Sequence, residues 1–400
     1  MAVVAVTNMN THKKNSALSL LTTSALAIPS MVEAATVPEK QTLSVRYTQY
    51  QEAPLETNLV SAGNTGRYGI NVLQVGYFTP YKDKYSIDTN VTFETLSGAS
   101  PYSSTDDGSG QPQVFMSGAS IEEKRVDASV SGTRYFKSGT LNSNVAFSTE
   151  NDYQSIAVGA AGSLEINDKH TTLSASMSTS FDQLSPTDAV LFGGGRLAAD
   201  GKTKRSVSIY EGVTQVINRY QTLQVGIGYT RMKGYLSDPY RSKDLRPSSR
   251  EQHTLSAQYR HFLSNYYGVS WHLDYRLYQD DWGLTANTIS TSFWKDVNIE
   301  GLKFTLAPNF RYHWQHSADF YTLAADPTAA NYYSDDFRLS AYGAITAGVD
   351  VQYHHNDISF TFSLSQYLSN KSWGLTGREK AKTPALLSFS TFSLGVDYRF

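Results

Sequence analysis

Adjacent pairs of acidic and histidine residues are the first groups in the chain that suggest chemistry. They are Asp106-Asp107, Asp280-Asp281, Asp335-Asp336 and His354-His355. Neighbouring residues of a β-strand point to opposite faces, so each pair could share a metal ion only within a loop. None of the pairs has the ligand spacing that is typical of zinc or calcium sites. We therefore expect solvated loop charges here, with no metal ion and no cofactor.

Hydrolytic chemistry would need a Ser or a carboxylate that a His activates. His253 and Ser256 fall on opposite faces of one predicted strand, and no Ser is singled out beside His272 or His313. The sequence has no Gly-x-Ser-x-Gly motif. The run Gly193–Arg196 lacks the strand and helix that flank a phosphate-binding loop, and a flexible external loop explains it. We expect no catalytic residues, and an enzyme is the weakest of the functional hypotheses.

Charged residues of both signs occupy one face of several segments in which polar and apolar residues alternate. Such charges can line an aqueous pore and select solutes, or they can pair across a wall and brace a closed structure. Both interpretations stay open. The candidate lumen-lining residues are Asp88, Glu94, Asp127, Asp274, Arg276, Arg311, Asp397 and Arg399.

The C-terminal segment, residues 391–400, shows most clearly which element positions these charges. Its alternation has a period of two, which predicts a strand with one face for lipid and one for water. A terminal Phe with a Tyr two residues before it also resembles the signal that the barrel-assembly machinery reads, so this machinery and outer-membrane lipid are expected partners. The residues of the apolar face are Phe392, Leu394, Val396, Tyr398 and Phe400.

The same alternation recurs upstream, in runs of about 9–11 residues, the length that a tilted strand needs to cross a bilayer. It predicts sixteen strands near 42–51, 68–78, 85–94, 122–136, 139–149, 153–165, 170–181, 203–216, 221–233, 250–262, 267–278, 284–294, 302–315, 337–353, 358–368 and 386–400.

The connections between these strands alternate in length. Those after even-numbered strands are short, and six of those after odd-numbered strands are long, although the connections at 150–153 and 279–283 are short for their side. Alternation of this kind is typical of outer-membrane proteins. The fold expected is therefore all-β, a transmembrane antiparallel up-and-down β-barrel of about sixteen strands with short periplasmic turns and long extracellular loops. The long loops are 52–67, 95–121, 182–202, 234–249, 316–336 and 369–385.

Composition agrees with this fold and narrows the partners. The chain has 27 Tyr and 18 Phe but a mean hydropathy of −0.37, which a barrel reaches because only alternate residues touch lipid. A net charge of −2 argues against a nucleic-acid partner. The absence of cysteine excludes disulfides and thiolate metal sites.

The N-terminal region predicts export. A basic patch at residues 12–14 precedes an apolar run from Ala17 to Ile28, and Val32-Glu33-Ala34 suits a signal peptidase. We expect a cleaved signal peptide over residues 1–34, a single barrel over 35–400, and a location in the bacterial outer membrane.

Several stretches resemble an uncharacterised family of bacterial exported proteins, domain-of-unknown-function family 3570. The resemblance covers nearly the whole mature chain, and 234–240 and 275–283 are its most specific parts. No activity is established for the family, so the resemblance brings no catalytic residues. It does imply a possible partner, because members are often associated with exported flavin-transfer and redox proteins. The stretches are 117–121 with Arg125, 150–155, 234–240, 246–250, 275–283, 318–321 and 332–340.

Much of this resemblance falls at the ends of odd-numbered strands, the presumed external mouth. One hypothesis is that these loops fold together over the pore as a constriction or a surface that recognises a ligand. The alternative is that they only pack against one another and stabilise long loops. The external-loop candidates are Tyr235, Asp238, Tyr240, Asp280, Asp281, Trp282, Asp335 and Asp336.

Three functional hypotheses follow. The leading one is a channel or selective pore for small solutes, because sixteen strands enclose an aqueous lumen unless loops plug it. The competing one is a plugged barrel that acts as a structural anchor or partner of an exported redox or flavin-related protein. The weakest is an outer-membrane hydrolase.

Overall fold

The alternating segments form antiparallel strands that close into one barrel. A computed structural model describes residues 37–106, 111–117, 121–265, 268–324, 331–375 and 383–400. The expected signal peptide lies outside these ranges. Each strand pairs with its neighbours in the barrel, and the first strand pairs with the last, so the sheet has no free edge.

The prediction of about sixteen strands is confirmed. The barrel strands are β1 (Thr42–Glu52), β2 (Gly69–Tyr81), β3 (Tyr85–Gly98), β4 (Ile121–Phe136), β5 (Gly139–Thr149), β6 (Tyr153–Ile166), β7 (Thr171–Leu184), β8 (Thr203–Asn218), β9 (Gln221–Gly234), β10 (Ser249–Leu263), β11 (Val269–Asp280), β12 (Thr285–Ile299), β13 (Leu302–Gln315), β14 (Tyr342–His355), β15 (Ile358–Asn370) and β16 (Ser388–Arg399).

Alternation along each strand assigns one face to the lumen and the other to the exterior. On β1 the exposed residues Leu43 and Val45 alternate with the buried Thr42 and Thr48. The register carries this division from strand to strand, because Val45 is opposite Val396 on β16 and opposite Val75 on β2. An outer apolar face on a closed antiparallel barrel is the architecture of outer-membrane proteins.

Short connections lie at one end of the barrel and long connections at the other, as the sequence predicts. The β4–β5 connection is residues 137–138 and the β14–β15 connection is 356–357, whereas β3–β4 takes 99–120 and β13–β14 takes 316–341. The connections at 150–152 and 281–284 are the short ones on the long-loop side. We call the long-loop end the external mouth, since external loops are the longer ones in such barrels.

Short elements within the long loops give the external mouth an ordered structure. Among the described residues, no helix is long and apolar enough to cross a bilayer. The long-loop elements are a three-stranded sheet (Val60–Ala62, Pro101–Asp106, Pro112–Met116), a strand pair (Asp244–Leu245, Tyr333–Ser334), helices α1 (Ala189–Phe192) and α2 (Gly194–Ala199), and two 3-10 turns (Thr57–Leu59 and Phe337–Leu339). A third 3-10 turn, Lys82–Lys84, lies in a short connection at the periplasmic end.

Two predictions need correction. The strand predicted at 337–353 begins only at Tyr342, because Phe337–Leu339 forms a 3-10 turn whose first amides are capped by the Asp336 side chain, with Arg338 N–H donating to Oδ1 at 3.0 Å. The run Gly193–Arg196, expected to be a flexible loop, contains the break between α1 and α2.

Buried apolar clusters lie at the external mouth rather than around the barrel axis. One joins Tyr50, Ile70, Val72 and Phe389 at the loop ends of β1, β2 and β16. A second packs loop residues such as Val114 and Met116 against Ala385. Burial of this kind stabilises by about 25 cal/mol per Å² of apolar surface, so the loops carry a small core of their own.

Candidate functional site

The structure places all eight candidate lumen-lining residues on the inner face of the barrel, and several of the acids are paired there. Arg125 bridges two of them, with Nη2 2.7 Å from Glu94 and Nε 3.0 Å from Asp127. Asp397 accepts a hydrogen bond from Ser44 at 2.5 Å, and Asp88 accepts one from the amide of Asn90. These acids brace the wall as well as line it.

The arginines of this set behave differently from the acids. Asp274 is held by Arg260 at 2.6 Å, so it does not neutralise the neighbouring Arg276. In the described part of the chain Arg276, Arg311 and Arg399 form no ion pair with any carboxylate. The inner wall near β11 and β13 therefore carries unpaired positive charge.

A cavity of about 350 Å³ lies just beneath the external loops, and we call it the mouth cavity. Its walls come from the barrel, through Glu52, Glu123, Arg311, His313, Tyr342 and Tyr367. Its cover comes from the loops, through Tyr68, Asp238, Tyr240, Arg241, Phe337 and Arg338. Wall and loops thus form one site.

Buried arginines and aspartates join the loop between β9 and β10 to the loop between β13 and β14. The expectation of solvated loop charge is therefore wrong for Asp335 and Asp336, which are 2% and 0% exposed because the folded loops cover them. Asp336 is central, because Arg246 Nη2 lies 2.9 Å from Oδ2, Arg338 Nη2 lies 2.6 Å from the same oxygen, and Arg241 Nη2 lies 3.7 Å from Oδ1. Arg338 also reaches Asp238 at 2.7 Å. We call the set Asp238, Asp244, Asp335, Asp336, Arg241, Arg246 and Arg338 the loop ion network.

The electrostatics of the loop ion network depend on how many guanidiniums face each acid. Burial by itself raises the pKa of Asp336, but Arg338, Arg241 and Arg246 outweigh it and hold that pKa well below its usual range. The same competition leaves the pKa of Asp238 at about 2. Asp244 faces fewer cations, so burial dominates and raises its pKa despite Arg246. The central acid therefore stays ionised across the physiological range.

The loop between β1 and β2 is attached by a separate buried pair. Arg67 Nε lies 2.6 Å from Glu52 Oε2, and the two side chains are only 2% and 5% exposed. Arg67 also donates to the carbonyl oxygen of Ala385 at 3.1 Å, which links this loop to the one before β16. The Phe337 ring lies within 6.0 Å of the Arg67, Arg241 and Arg338 guanidiniums, so it adds cation–π contacts.

The candidate loop residues fall into two groups. Asp238, Tyr240, Asp335 and Asp336 belong to the loop ion network or the mouth cavity, and Tyr235 lies beside them, its hydroxyl donating to Gly195 O at 3.3 Å.

Asp280, Asp281 and Trp282 form the β11–β12 turn outside the cavity. Asp280 accepts from Arg250 Nε at 2.8 Å and from the Leu284 amide at 2.9 Å, Trp282 lies under the Arg250 guanidinium, and Asp281 accepts from the Glu251 amide at 2.9 Å. This second group is structural.

An acidic group that sequence reasoning missed lies beside the mouth cavity. Glu123, Glu150 and Asp152 hold carboxylate oxygens within 4.8 Å of one another, and Tyr240 donates its hydroxyl proton to Asp152. Burial raises the pKa of Tyr240, which keeps it a donor. The sequence signal was available, since 150–155 is one of the family-like stretches, but nothing local showed that it meets Glu123.

Histidine–hydroxyl contacts correct one expectation from the sequence. Ser270 Oγ lies 3.1 Å from His272 Nε2, so His272 does have a Ser beside it, and His354 Nδ1 lies 3.2 Å from Ser359 Oγ. Both contacts sit near periplasmic turns, away from the mouth cavity. His313 in the cavity wall contacts Thr288 at 2.9 Å and Gln315 at 3.2 Å.

Solved structures with a similar architecture are outer-membrane proteins. A bacterial polysaccharide outer membrane secretin is 12% identical, with 90% of this chain and 98% of that one covered and a TM-score of 0.48. CdiB from Acinetobacter baumannii is 9% identical over 90% of this chain and 60% of its own, with a TM-score of 0.49. OprD from Pseudomonas aeruginosa is 11% identical over 93% and 99%, with a TM-score of 0.41. Identities and scores this low say nothing about what the barrel does.

The sequence comparisons are more decisive about family than about function. No curated protein matches the chain. A family model described as "Protein of unknown function (DUF3570)" matches residues 16–390. A match over nearly all of a closed, polar-lined barrel with an apolar outer face shows that this outer-membrane β-barrel belongs to the DUF3570 family.

Proposed function

We propose that this outer-membrane β-barrel is a selective channel for small solutes, with the external loops forming its constriction. The observation that carries the proposal is the mouth cavity, whose walls belong to the barrel and whose cover belongs to the loops. A solute that passes along the lumen must cross this space, so the residues that line it would select what passes.

Inner-face glycines leave room for neighbouring side chains to lie against the barrel wall. A Cβ atom at Gly226 would lie 2.0 Å from Tyr210 Oη, and one at Gly159 would lie 2.5 Å from Asn144 Oδ1. These glycines allow the neighbouring side chains to lie flat along the wall instead of projecting into the lumen.

The loop ion network supports a constriction of fixed shape. Buried ion pairs are costly to break once formed, since removal of one partner leaves the other charge without compensation. Loops held in this way do not move freely, so the aperture would be set by the folded loops.

The same network would also suit the second candidate, a plugged barrel that anchors an exported redox or flavin-related protein. There the loops would close the mouth permanently, and no solute would pass. A stable partner recovered with the barrel from membranes would support this candidate. We propose no enzymatic activity for either candidate.

Single-channel recording of the refolded barrel in a planar bilayer separates the two. A channel gives discrete open steps, and Arg276→Gln should shift the reversal potential in a salt gradient towards cation selectivity, because it removes an unpaired positive charge from the wall. Arg205→Gln is the matched control, since Arg205 lies on the outer face over the Phe181 ring. A barrel that shows the heat-modifiable gel mobility of a folded protein yet never conducts would overturn the channel proposal.

A further inference from the structure

Among the residues that the structure describes, charges of opposite sign without an ion-pair partner line the mouth cavity on opposite walls of the barrel. Arg311 lies on β13 and Glu123 on β4, and both line the cavity. Around the sixteen-stranded ring these two strands are seven steps apart in one direction and nine in the other. Their inner faces therefore look at each other across the lumen.

The wall around Arg311 is cationic. Arg276, on the strand two positions away, adds a second positive charge to this wall. The other polar groups near the Arg311 guanidinium are the hydroxyls of Tyr342 and Tyr367. A phenol is uncharged at neutral pH. Asp350, an inner-face acid on the next strand, accepts from Asn309 at 3.1 Å instead. A half-buried guanidinium with no carboxylate partner favours an anionic ligand.

The wall around Glu123 is acidic. Glu123, Glu150 and Asp152 stand together, and Glu94 and Asp127 lie beside them on the inner face. The guanidiniums near these five carboxylates are Arg125, which Glu94 and Asp127 share, and Arg196, which stacks on Tyr240. Carboxylates therefore outnumber guanidiniums five to two on this wall.

The volume and the apolar lining of the mouth cavity further restrict the class of ligand that it can hold. A volume of about 350 Å³ is at the small end of ligand pockets, which span roughly 300–1,000 Å³. Aromatic rings from Tyr68, Tyr240, Phe337, Tyr367 and Phe389 line the space between the charged walls. The cavity therefore suits a small molecule with an apolar or aromatic body.

We propose that the mouth cavity binds a dipolar organic solute of the peptide type, with its carboxylate at Arg311 and its ammonium group at Glu123. A simple anion would meet Glu123 without compensation, and a simple cation would meet Arg311, whereas a dipolar solute satisfies both walls. As the class of solute that the channel selects, this inference rests on the proposed function. Binding itself is measured separately from conduction.

The test is calorimetric titration of the folded barrel in detergent with the dipeptide alanyl-phenylalanine. Its N-acetyl derivative is the matched anion and its C-terminal amide the matched cation. We expect the dipeptide to bind more tightly than either derivative, and Arg311→Gln and Glu123→Gln each to weaken it tenfold or more. Arg311→Gln should weaken binding of the N-acetyl derivative but not of the C-terminal amide. Glu123→Gln should weaken binding of the C-terminal amide but not of the N-acetyl derivative.

Two controls separate charge at the site from charge elsewhere. Arg399→Gln removes an inner-face arginine at the periplasmic end, and Glu56→Gln removes an exposed acid of the β1–β2 loop, and neither should change dipeptide binding. Tighter binding of the anion or the cation than of the dipeptide, or binding indifferent to Arg311→Gln, would overturn the inference. A barrel that conducts without binding the dipeptide refutes the inference alone, whereas one that binds without conducting refutes the channel alone.

Discussion

Asp336→Asn is the sharpest perturbation of the external loops, because it removes one charge and almost no volume. In the native protein three guanidiniums surround this carboxylate, at 2.6, 2.9 and 3.7 Å, and the side chain is only 1% exposed. After the change Arg246 keeps Asp244 at 2.9 Å and Arg338 keeps Asp238 at 2.7 Å. The arginines thus lose their shared partner but not every partner.

The magnitude follows from this geometry. Removing one member of a buried ion pair costs about 3–5 kcal/mol. Since each arginine retains an acid, we expect the lower end, about 3 kcal/mol, to appear as easier opening of the loops. At about 1.4 kcal/mol per factor of ten, the open population should rise on the order of 100-fold.

Limited trypsin digestion of the folded barrel measures that population, because cleavage follows the opening equilibrium when the loops reclose faster than they are cut. We expect Asp336→Asn to be cut in residues 234–249 and 331–341 on the order of 100-fold faster than the native protein, by the same reasoning. The matched control is Asp281→Asn, since within the described ranges the Asp281 side chain accepts a hydrogen bond from the Glu251 backbone amide and forms no ion pair. Equal cleavage rates for the two variants, with both barrels folded, would mean that apolar clusters and not ion pairs hold the loops.

Three further predictions concern the lumen, pH and assembly. Gly226→Ala should push the Tyr210 ring into the lumen and lower single-channel conductance, while Gly132→Ala, whose Cβ meets nothing within 4 Å, should leave it unchanged. Because the pKa of Asp336 is lowered, its contribution to loop stability is complete above the unfolded pKa of about 3.9 and is lost as the pH falls through the lower folded value. The difference in hydrogen-exchange protection factor of the loop amides between the native protein and Asp336→Asn should therefore be constant from pH 7 to about pH 5 and should shrink only in stronger acid. Phe400→Ala should reduce the amount of heat-modifiable barrel recovered from cells several-fold, because we expect the assembly machinery to recognise the terminal Phe. Refolding of the purified chain should not be impaired. An equal loss in both assays would mean that Phe400 acts on folding alone.

The fold could be derived from sequence because its main determinant is local. Side chains of a strand alternate between faces, so a period of two in residues such as Leu394, Val396 and Tyr398 identifies both the strand and its lipid face. Alternating connection lengths then show which end of the barrel is external. The same alternation is sufficient to assign Arg276 and Arg311 to the inner wall.

Only the tertiary structure decided which residues of the loops and of the inner wall come close to one another. Asp336 contacts Arg246 across 90 residues of sequence, and no periodicity could pair them, because loop conformation depends on packing between distant segments. The same holds for Glu123, whose acidic neighbours come from another connection. That Arg311 and Glu123 face each other across the lumen follows only from the number of strands and the closure of the ring, which set the angle between any two walls.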